Sequence, residues 1–599
     1  MSRSAQREGD PVSLLSRIGE FAWRHWRAYA SASAMLVGIA VLTVWVPRRV
    51  GHVIDGLVAH SLAGAALWRE LAILVAMGVA IYLLRVGWRI ALFSAAFRLG
   101  VELRTELYDR LARQGPPFFH RQRTGDLMAL ATNDVDAVEM AAGEAFLAAF
   151  DGTLTLMLVV AMMTLGVDGR LGLVALLPFP LMAIAFWHIS RHVHDAWRDS
   201  LDRFSDLNEH VQETVAAVRT LRALGLERRA GREFAQRAQR AADAGFAAQK
   251  WESAYEPAVG LTLTVAGTLT LALGGWFVWH DEMTIGTLTA FTMYLTQLIW
   301  PMFAAGWVLS LIERGKAAWA RLDPLLREPP SVDDRGTCTE PVAGTIRFER
   351  VGFTYPSALT DSMRGARDAT LAEIDIDLPP GRTLGVVGPT GAGKSTLLHV
   401  LLRHYAPQAG TLHWGDRRLD EYRLATLRAG IAWVPQEPFL FSATIAENIA
   451  LPRADASRAD VVRVATLADL HADVMRFPDG YDTRVGERGV TLSGGQRQRV
   501  AIARALLADA PLLALDDALS AVDTGTEARI LAHLRDVRAG RMAIIVSHRL
   551  SAVADAGEII VLKHGRIVER GTHDELLRRD GWYAAQWRYQ QLEASLETA

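Results

Sequence analysis

Residues 388–396 read GPTGAGKST and fit G-x-x-x-x-G-K-[ST], between the apolar run 384–387 and the helix-like stretch LLHVLLRHY. Gly388, Gly391 and Gly393, interleaved with Pro389, Thr390 and Ala392, allow successive backbone N–H groups to converge on phosphate oxygens. A helix opening at Lys394 adds the positive end of its dipole. Lys394 is then placed to reach β- and γ-phosphates and the Ser395 hydroxyl to ligate Mg2+, with Thr396 closing the pattern. A glycine-rich turn that merely ends a strand has no need of Lys and Ser together.

A second chemical position ends the apolar run PLLALD at Asp516, which in a parallel sheet emerges at the carboxyl edge, where nucleotides bind, as a second Mg2+ contact. Asp517 follows directly. A site that hydrolyses ATP wants a glutamate there, long enough to polarise the attacking water, and aspartate is shorter by about 1.5 Å. A displacement of that order can cost about a hundredfold in rate; a tolerated acidic swap with full activity stays open beside that reading. The run LSGGQRQRVAIARALL from Leu492 lies between the loop and this strand. That order implies ATP hydrolysis.

With these parts in place, the second half resembles the nucleotide-binding domain of ABC transporters. The resemblance makes Tyr355, in FTYP, the aromatic that stacks on adenine. Gln436, in VPQEPFLF, becomes the loop glutamine that touches Mg2+ and the membrane domain, and His548, in IVSHRLS, the residue that contacts the γ-phosphate. Ser493, Gly494, Gly495 and Gln496 match the signature that closes over a nucleotide held by the opposite subunit. Asp523, in SAVD, matches the aspartate that links the two sites, and TRVGERG at 483–489 the segment exporters carry before the signature. The departure is Asp517. In the family that substitution implies one half of a heterodimer, in which the partner's loop and glutamate work against this chain's intact signature.

The elements that position these residues form two halves, since 599 residues are too many for one core. The 64 basic residues nearly balance the 66 acidic ones, which gives no footing for nucleic acid and disfavours a DNA-handling ATPase. Apolar stretches long enough to cross a bilayer recur near 28–47, 68–88, 144–166, 170–190, 257–279 and 284–308. The polar, mixed residues 1–26 do not read as a signal peptide. Arg17, Arg24 and Arg27 favour a cytoplasmic N-terminus, with Arg48 and Arg49 at the far end of the first span arguing weakly against it.

Charged stretches poor in Pro and Gly follow the second and fourth spans and predict long helical arms, about 40 Å for each 25 residues. GPPFFHRQRTGDL from Gly115 supplies one turning tip, and NEHVQETVAAV from Asn208 is expected to supply the other. The resemblance makes both tips coupling helices that rest on nucleotide-binding domains. Pro178 and Pro180 predict a kink in the fourth span. Glu144 and Asp151 in the third span need partners or a wet cavity: pairing with a basic neighbour is one reading, lining a path for cationic or amphipathic cargo the other. The polar stretch 326–344 marks a linker, and its Cys338, the single cysteine, can form neither an internal disulfide nor a structural zinc site.

Over its full length the chain resembles bacterial ABC half-exporters of the MdlA type, on RTGDLMALATNDVDAV from Arg123, FTMYLTQLIWPM from Phe291, LDDALSAVD from Leu515 and YQQLEASL from Tyr589. The expected fold is a six-helix exporter transmembrane domain at 1–325, the linker at 326–344, and an α/β P-loop domain (RecA-like core plus helical subdomain) at 345–599. The resemblance implies a multi-pass protein of the bacterial cytoplasmic (inner) membrane with its ATP- and Mg2+-binding domain in the cytoplasm. It would export a small or amphipathic molecule together with an MdlB-type half-transporter that supplies the glutamate. A homodimer in which Asp517 suffices, an ATP-gated channel and a sensor with weak turnover are the alternatives.

Overall fold

Hydropathy dictates the first half. Among the described residues six helices are long and apolar enough to cross a membrane: Trp26–Val58, Ala65–Ala112, Thr124–Val167, Gly169–Ala216, Glu227–Trp279 and Ile285–Arg327. Each contains one of the stretches expected from sequence. The computed structural model describes residues 13–355, 370–486, 489, 491–538 and 540–597. Residues 1–12, Pro356 of FTYP, and Glu487 and Arg488 of the 483–489 segment therefore lie outside the described residues. Chain contacts group the described residues into two units, one running to Asp109 and resuming over Gly125–Glu328, the other comprising Arg110–Thr124 and the chain from Pro329 onward.

Small residues bring the spans of the first unit together, as they must where lipid offers no hydrophobic drive. A Cβ on Gly51 of the first span would stand 2.5 Å from the Gly286 carbonyl oxygen of the sixth. At the same end the Asp55 carboxylate accepts from the Gly286 N–H and the Thr284 hydroxyl, each at 2.7 Å. Arg49, which argued against the expected orientation, pairs with Glu70 of the second span at 3.4 Å. In the fourth span the helix stops at Leu176 and restarts at Phe179, the interruption that Pro178 and Pro180 predict. The third span contains three wide π-helical turns, at Leu130–Asp134, Ala141–Ala145 and Met162–Val167.

The second span's helix has 48 residues, about 72 Å, more than twice the roughly 30 Å of bilayer hydrocarbon, so the arms are helical as expected. The first tip is the short helix Pro116–Arg121, with proline at its first positions, where the missing N–H costs nothing. The second tip lies at the C-terminal end of the expected 208–218 and beyond it. The fourth span's helix continues to Ala216, and the reversal is made by Val218–Ala223 with Gly225 at φ +64°. HVQETVA contains no Pro or Gly to stop a helix, whereas Gly225 adopts the left-handed conformation that a reversal needs.

In the second unit, strand order builds two sheets. The antiparallel sheet has β1 (Ile346–Phe353), β2 (Leu371–Leu378), β4 (Ala409–Trp414) and β5 (Arg417–Arg418) in the order β2-β1-β4-β5. The larger sheet contains β3 (Thr383–Val387), β6 (Ile431–Val434), β7 (Leu512–Asp516), β8 (Met542–Val546), β9 (Glu558–Lys563) and β10 (Arg566–Gly571). Its order is β10-β9-β3-β8-β7-β6, parallel except for β10. β7 and β8 are buried throughout, as continuous apolar runs in a parallel sheet require. Their side chains alternate between two cores: Leu512, Ala514, Ile544 and Val546 face the core shared with the antiparallel sheet, while Leu513, Leu515, Ala543 and Ile545 face the core of the helical subdomain. The stretch expected as a linker is packed rather than loose. Cys338 is buried, its N–H donates to the Glu421 carbonyl at 3.0 Å, and its own carbonyl accepts from Arg423 at 3.0 Å.

Candidate nucleotide site

The phosphate loop connects β3 to the helix Lys394–Leu401, and two of its glycines admit no other residue. Gly388 has φ +145°, and a Cβ there would stand 2.0 Å from the Leu562 carbonyl oxygen; Gly393 has φ +99°, with 2.5 Å to the Thr370 carbonyl oxygen. The Lys394 ammonium donates to the Gly388 and Pro389 carbonyls at 2.9 and 3.0 Å. Ser395 Oγ donates to Asp516 Oδ1 at 2.9 Å, so the two residues expected to hold Mg2+ meet although 121 positions apart. A hydroxyl and a carboxylate beside a phosphate loop form an oxygen-donor set that suits Mg2+, which keeps several waters and takes few protein ligands.

Tyr355, Thr390, Gly391, Ala392, Gly393, Lys394, Ser395, Thr396, Gln436, Asp516, Asp517 and His548 line one cleft, joined by Thr370 and Val546. The Tyr355 hydroxyl is 3.2 Å from Thr396 Oγ1 and 3.3 Å from His399 Nδ1, which fixes its ring at the mouth of the loop. Asp517 adopts φ +49°, a conformation that aspartate tolerates better than most residues, and its Oδ1 accepts from the His548 backbone N–H at 3.3 Å. Burial pushes the Lys394 ammonium below its ordinary value, opposed by Asp517 and Asp516. Burial raises the Asp516 carboxyl, while the Ser395 hydrogen bond lowers it. For His548, desolvation and then the Lys394 charge push the imidazole down, with Asp517 opposing, so the neutral ring is favoured at pH 7.

Ser493, Gly494, Gly495, Gln496 and Asp523 are not among the residues that line this cleft. Ser493 caps the helix Gly494–Ala508 in a reciprocal pair: its Oγ accepts from Gln496 N–H at 3.2 Å and its N–H donates to Gln496 Oε1 at 3.0 Å. That helix presents its N-terminal dipole end, where an anion is favoured. Asp523 Oδ1 accepts from the Thr526 N–H at 2.9 Å. Sequence reasoning missed Gln498. Its buried amide donates to Ser520 Oγ at 3.0 Å and accepts from Ala521 N–H at 2.9 Å, tying the signature helix to the segment of Asp523. A glutamine on the buried face of a helix was the available signal.

The first tip belongs to this unit. Phe118 is buried, the Gly115 N–H donates to Ser331 Oγ at 2.8 Å, and His120 Nδ1 lies 3.1 Å from the Tyr405 hydroxyl. Tyr405 packs edge-on against Tyr355 with centroids 5.0 Å apart, so the tip is two side chains from the cleft.

A parallel sheet with this phosphate loop, joined to six membrane helices, defines a transport ATPase. Residues 34–302 match the ABC transporter transmembrane region and residues 371–520 the ABC transporter family. The chain is 42% identical to the multidrug resistance-like ATP-binding protein MdlA of Escherichia coli K12, over 98% of each chain. It is 36% identical to the probable multidrug resistance ABC transporter ATP-binding/permease protein YheI of Bacillus subtilis, over 97% of this chain and 98% of that one. A bacterial Atm1-family ABC exporter solved with ATP bound aligns over 94% of this chain and 98% of its own, with a TM-score of 0.76 at 28% identity. The chain belongs to the ABC transporter family. It is a multi-pass membrane exporter of the MdlA type whose nucleotide-binding domain is an ATPase coupled to transport.

Proposed function

We propose that this chain is one half of a heterodimeric exporter of small or amphipathic molecules, with a weakened ATP site of its own. The observation that carries the reading is Asp517 just past the end of β7, beside an otherwise complete cleft and an intact signature helix. Tyr355 stacks on adenine, the loop N–H groups and Lys394 hold the phosphates, and His548 donates to the γ-phosphate. Ser395 and Asp516, with Gln436, would hold Mg2+, which neutralises phosphate charge. Asp517 is the candidate base, and its carboxylate, one methylene short and accepting from the His548 N–H, positions water poorly. Ser493 to Gln496 would complete the site of an MdlB-like partner that brings the glutamate, and Asp523 would bridge the two sites. Its signature dipole would stabilise that partner's nucleotide.

ATP clamps the two nucleotide-binding domains, the tips carry that closure to the spans, and the cargo path changes from inward- to outward-facing. The equilibrium moves only as far as ATP binds the closed state better than the open one. We assign the functional division to 1–325, 326–344 and 345–599, and the protein to the bacterial inner membrane with its ATPase in the cytoplasm. Photo-cross-linking of labelled ATP tests the site itself. Lys394→Ala should abolish labelling of this chain in the assembled transporter, and undiminished labelling would show that the loop is not where ATP is held.

A further inference from the structure

The apolar stretch 144–166 of the third span carries two carboxylates, Glu144 and Asp151, that ATP chemistry does not use. Asp151 lies in its helical stretch Phe146–Ala161, about 16 residues, or roughly 24 Å of helix, from the Val167 end of the span. That is inside the roughly 30 Å of hydrocarbon a bilayer presents. An ionised side chain at that depth faces protein or water, not lipid. The Trp300 indole donates to Asp151 Oδ2 at 3.0 Å. Among the described residues no basic group forms an ion pair with Asp151, and Arg85 of the second span acts on it only from longer range. One neutral donor leaves most of a carboxylate's acceptor sites unused and its charge without a close partner.

The side from which Asp151 is met is aromatic and open. Trp300, Phe303 and Trp307 share one face of the helix Ile299–Arg327 and are 44%, 42% and 37% exposed, whereas Trp319 of the same helix is 5% exposed. Trp300 and Trp307 meet edge-on with centroids 6.2 Å apart. The third and sixth spans are packed antiparallel: a Cβ on Gly152 would stand 3.1 Å from the Ala304 side chain, and one on Gly315 would stand 2.8 Å from that of Ala141. In that register Glu144 stands opposite Trp307 as Asp151 stands opposite Trp300, each seven residues along its own span.

A carboxylate without a close cation, beside exposed indole and phenyl faces, complements a ligand whose positive charge is spread over an apolar body. The charge is attracted to the carboxylate and the ring faces attract the same cation. An anion of equal size is repelled, and a neutral molecule gains only the apolar contact. Resting on the export reading above, we propose that this face of the third and sixth spans is a cargo subsite for lipophilic organic cations. Asp151 supplies the charge and Trp300, Phe303 and Trp307 the apolar recognition.

Equilibrium binding of tetraphenylphosphonium to the purified full chain in nanodiscs tests it, without nucleotide, with empty nanodiscs subtracted and tetraphenylborate as the anion of like size. The wild type should bind the cation at least about tenfold more tightly than the anion. Asp151→Asn should lose at least about tenfold of the cation affinity, equivalent to about 1.4 kcal/mol, and Asp151→Glu should keep it within a few-fold. Should Asp151→Asn fail to fold, Trp307→Leu decides, with a several-fold loss expected for the cation. Unchanged cation binding in the folded variant, or equal binding of cation and anion by the wild type, overturns the proposal. The measurement needs no ATP. Failure of the export reading shows separately, as vesicles holding the wild-type chain together with a glutamate-bearing half-transporter that bind the cation and fail to accumulate it with ATP.

Discussion

Asp517 is held by more than its place after Asp516. Its φ of +49° and the His548 N–H at its Oδ1 fold the short side chain back toward the end of β8. A glutamate carries the carboxylate about 1.5 Å further, toward the attacking water. Asp517→Glu should therefore raise ATP hydrolysis at this site on the order of tenfold to a hundredfold, measured as single-site turnover in the assembled transporter. No gain, with ATP trapping intact, would mean that the missing methylene is not the defect. At this scale the sequence was highly informative, because a phosphate loop tolerates so few residues: Gly388 and Gly393 are dictated by carbonyls 2.0 and 2.5 Å from any Cβ. Gln498 and the Trp300–Asp151 bond were not legible. Each depends on which faces of distant elements meet, and spacing along the chain does not encode that.

The elements divide along the same physical line. Membrane spans are legible because hydropathy alone selects them, and the β3-to-helix context of the loop follows from its pattern. The second tip lies at and beyond the end of the expected 208–218, because 208–216 hold no Pro or Gly and continue the fourth span's helix, and only Gly225 marks the reversal. Prolines mark the first tip, and its packing decides which substitution tests coupling. Phe118 is buried, and truncating it costs about 3–5 kcal/mol by cavity formation, which would confuse folding with coupling. His120→Ala removes one hydrogen bond, to Tyr405, worth about 1 kcal/mol. We expect it to leave ATP cross-linking intact and to lower cargo moved per ATP hydrolysed by several-fold. Unchanged stoichiometry in vesicles would remove the first tip from the transmission path.

At the scale of the whole molecule, a complete cleft and a signature helix that does not line it fit the proposal of two half-sites completed by a second subunit. On the proposed reading, Asp517 in the base position slows this chain's own cleft, and the signature it offers a partner is its better contribution. Steady-state ATP hydrolysis and cargo uptake by the chain purified alone, set beside the chain copurified with a glutamate-bearing half-transporter, test that most directly. The chain alone should turn over well below about 1 s⁻¹ with no uptake, and the pair should show both activities. Hydrolysis at roughly 1 s⁻¹ or more with uptake by the chain alone would contradict the proposal, and a homodimer in which Asp517 suffices would take its place.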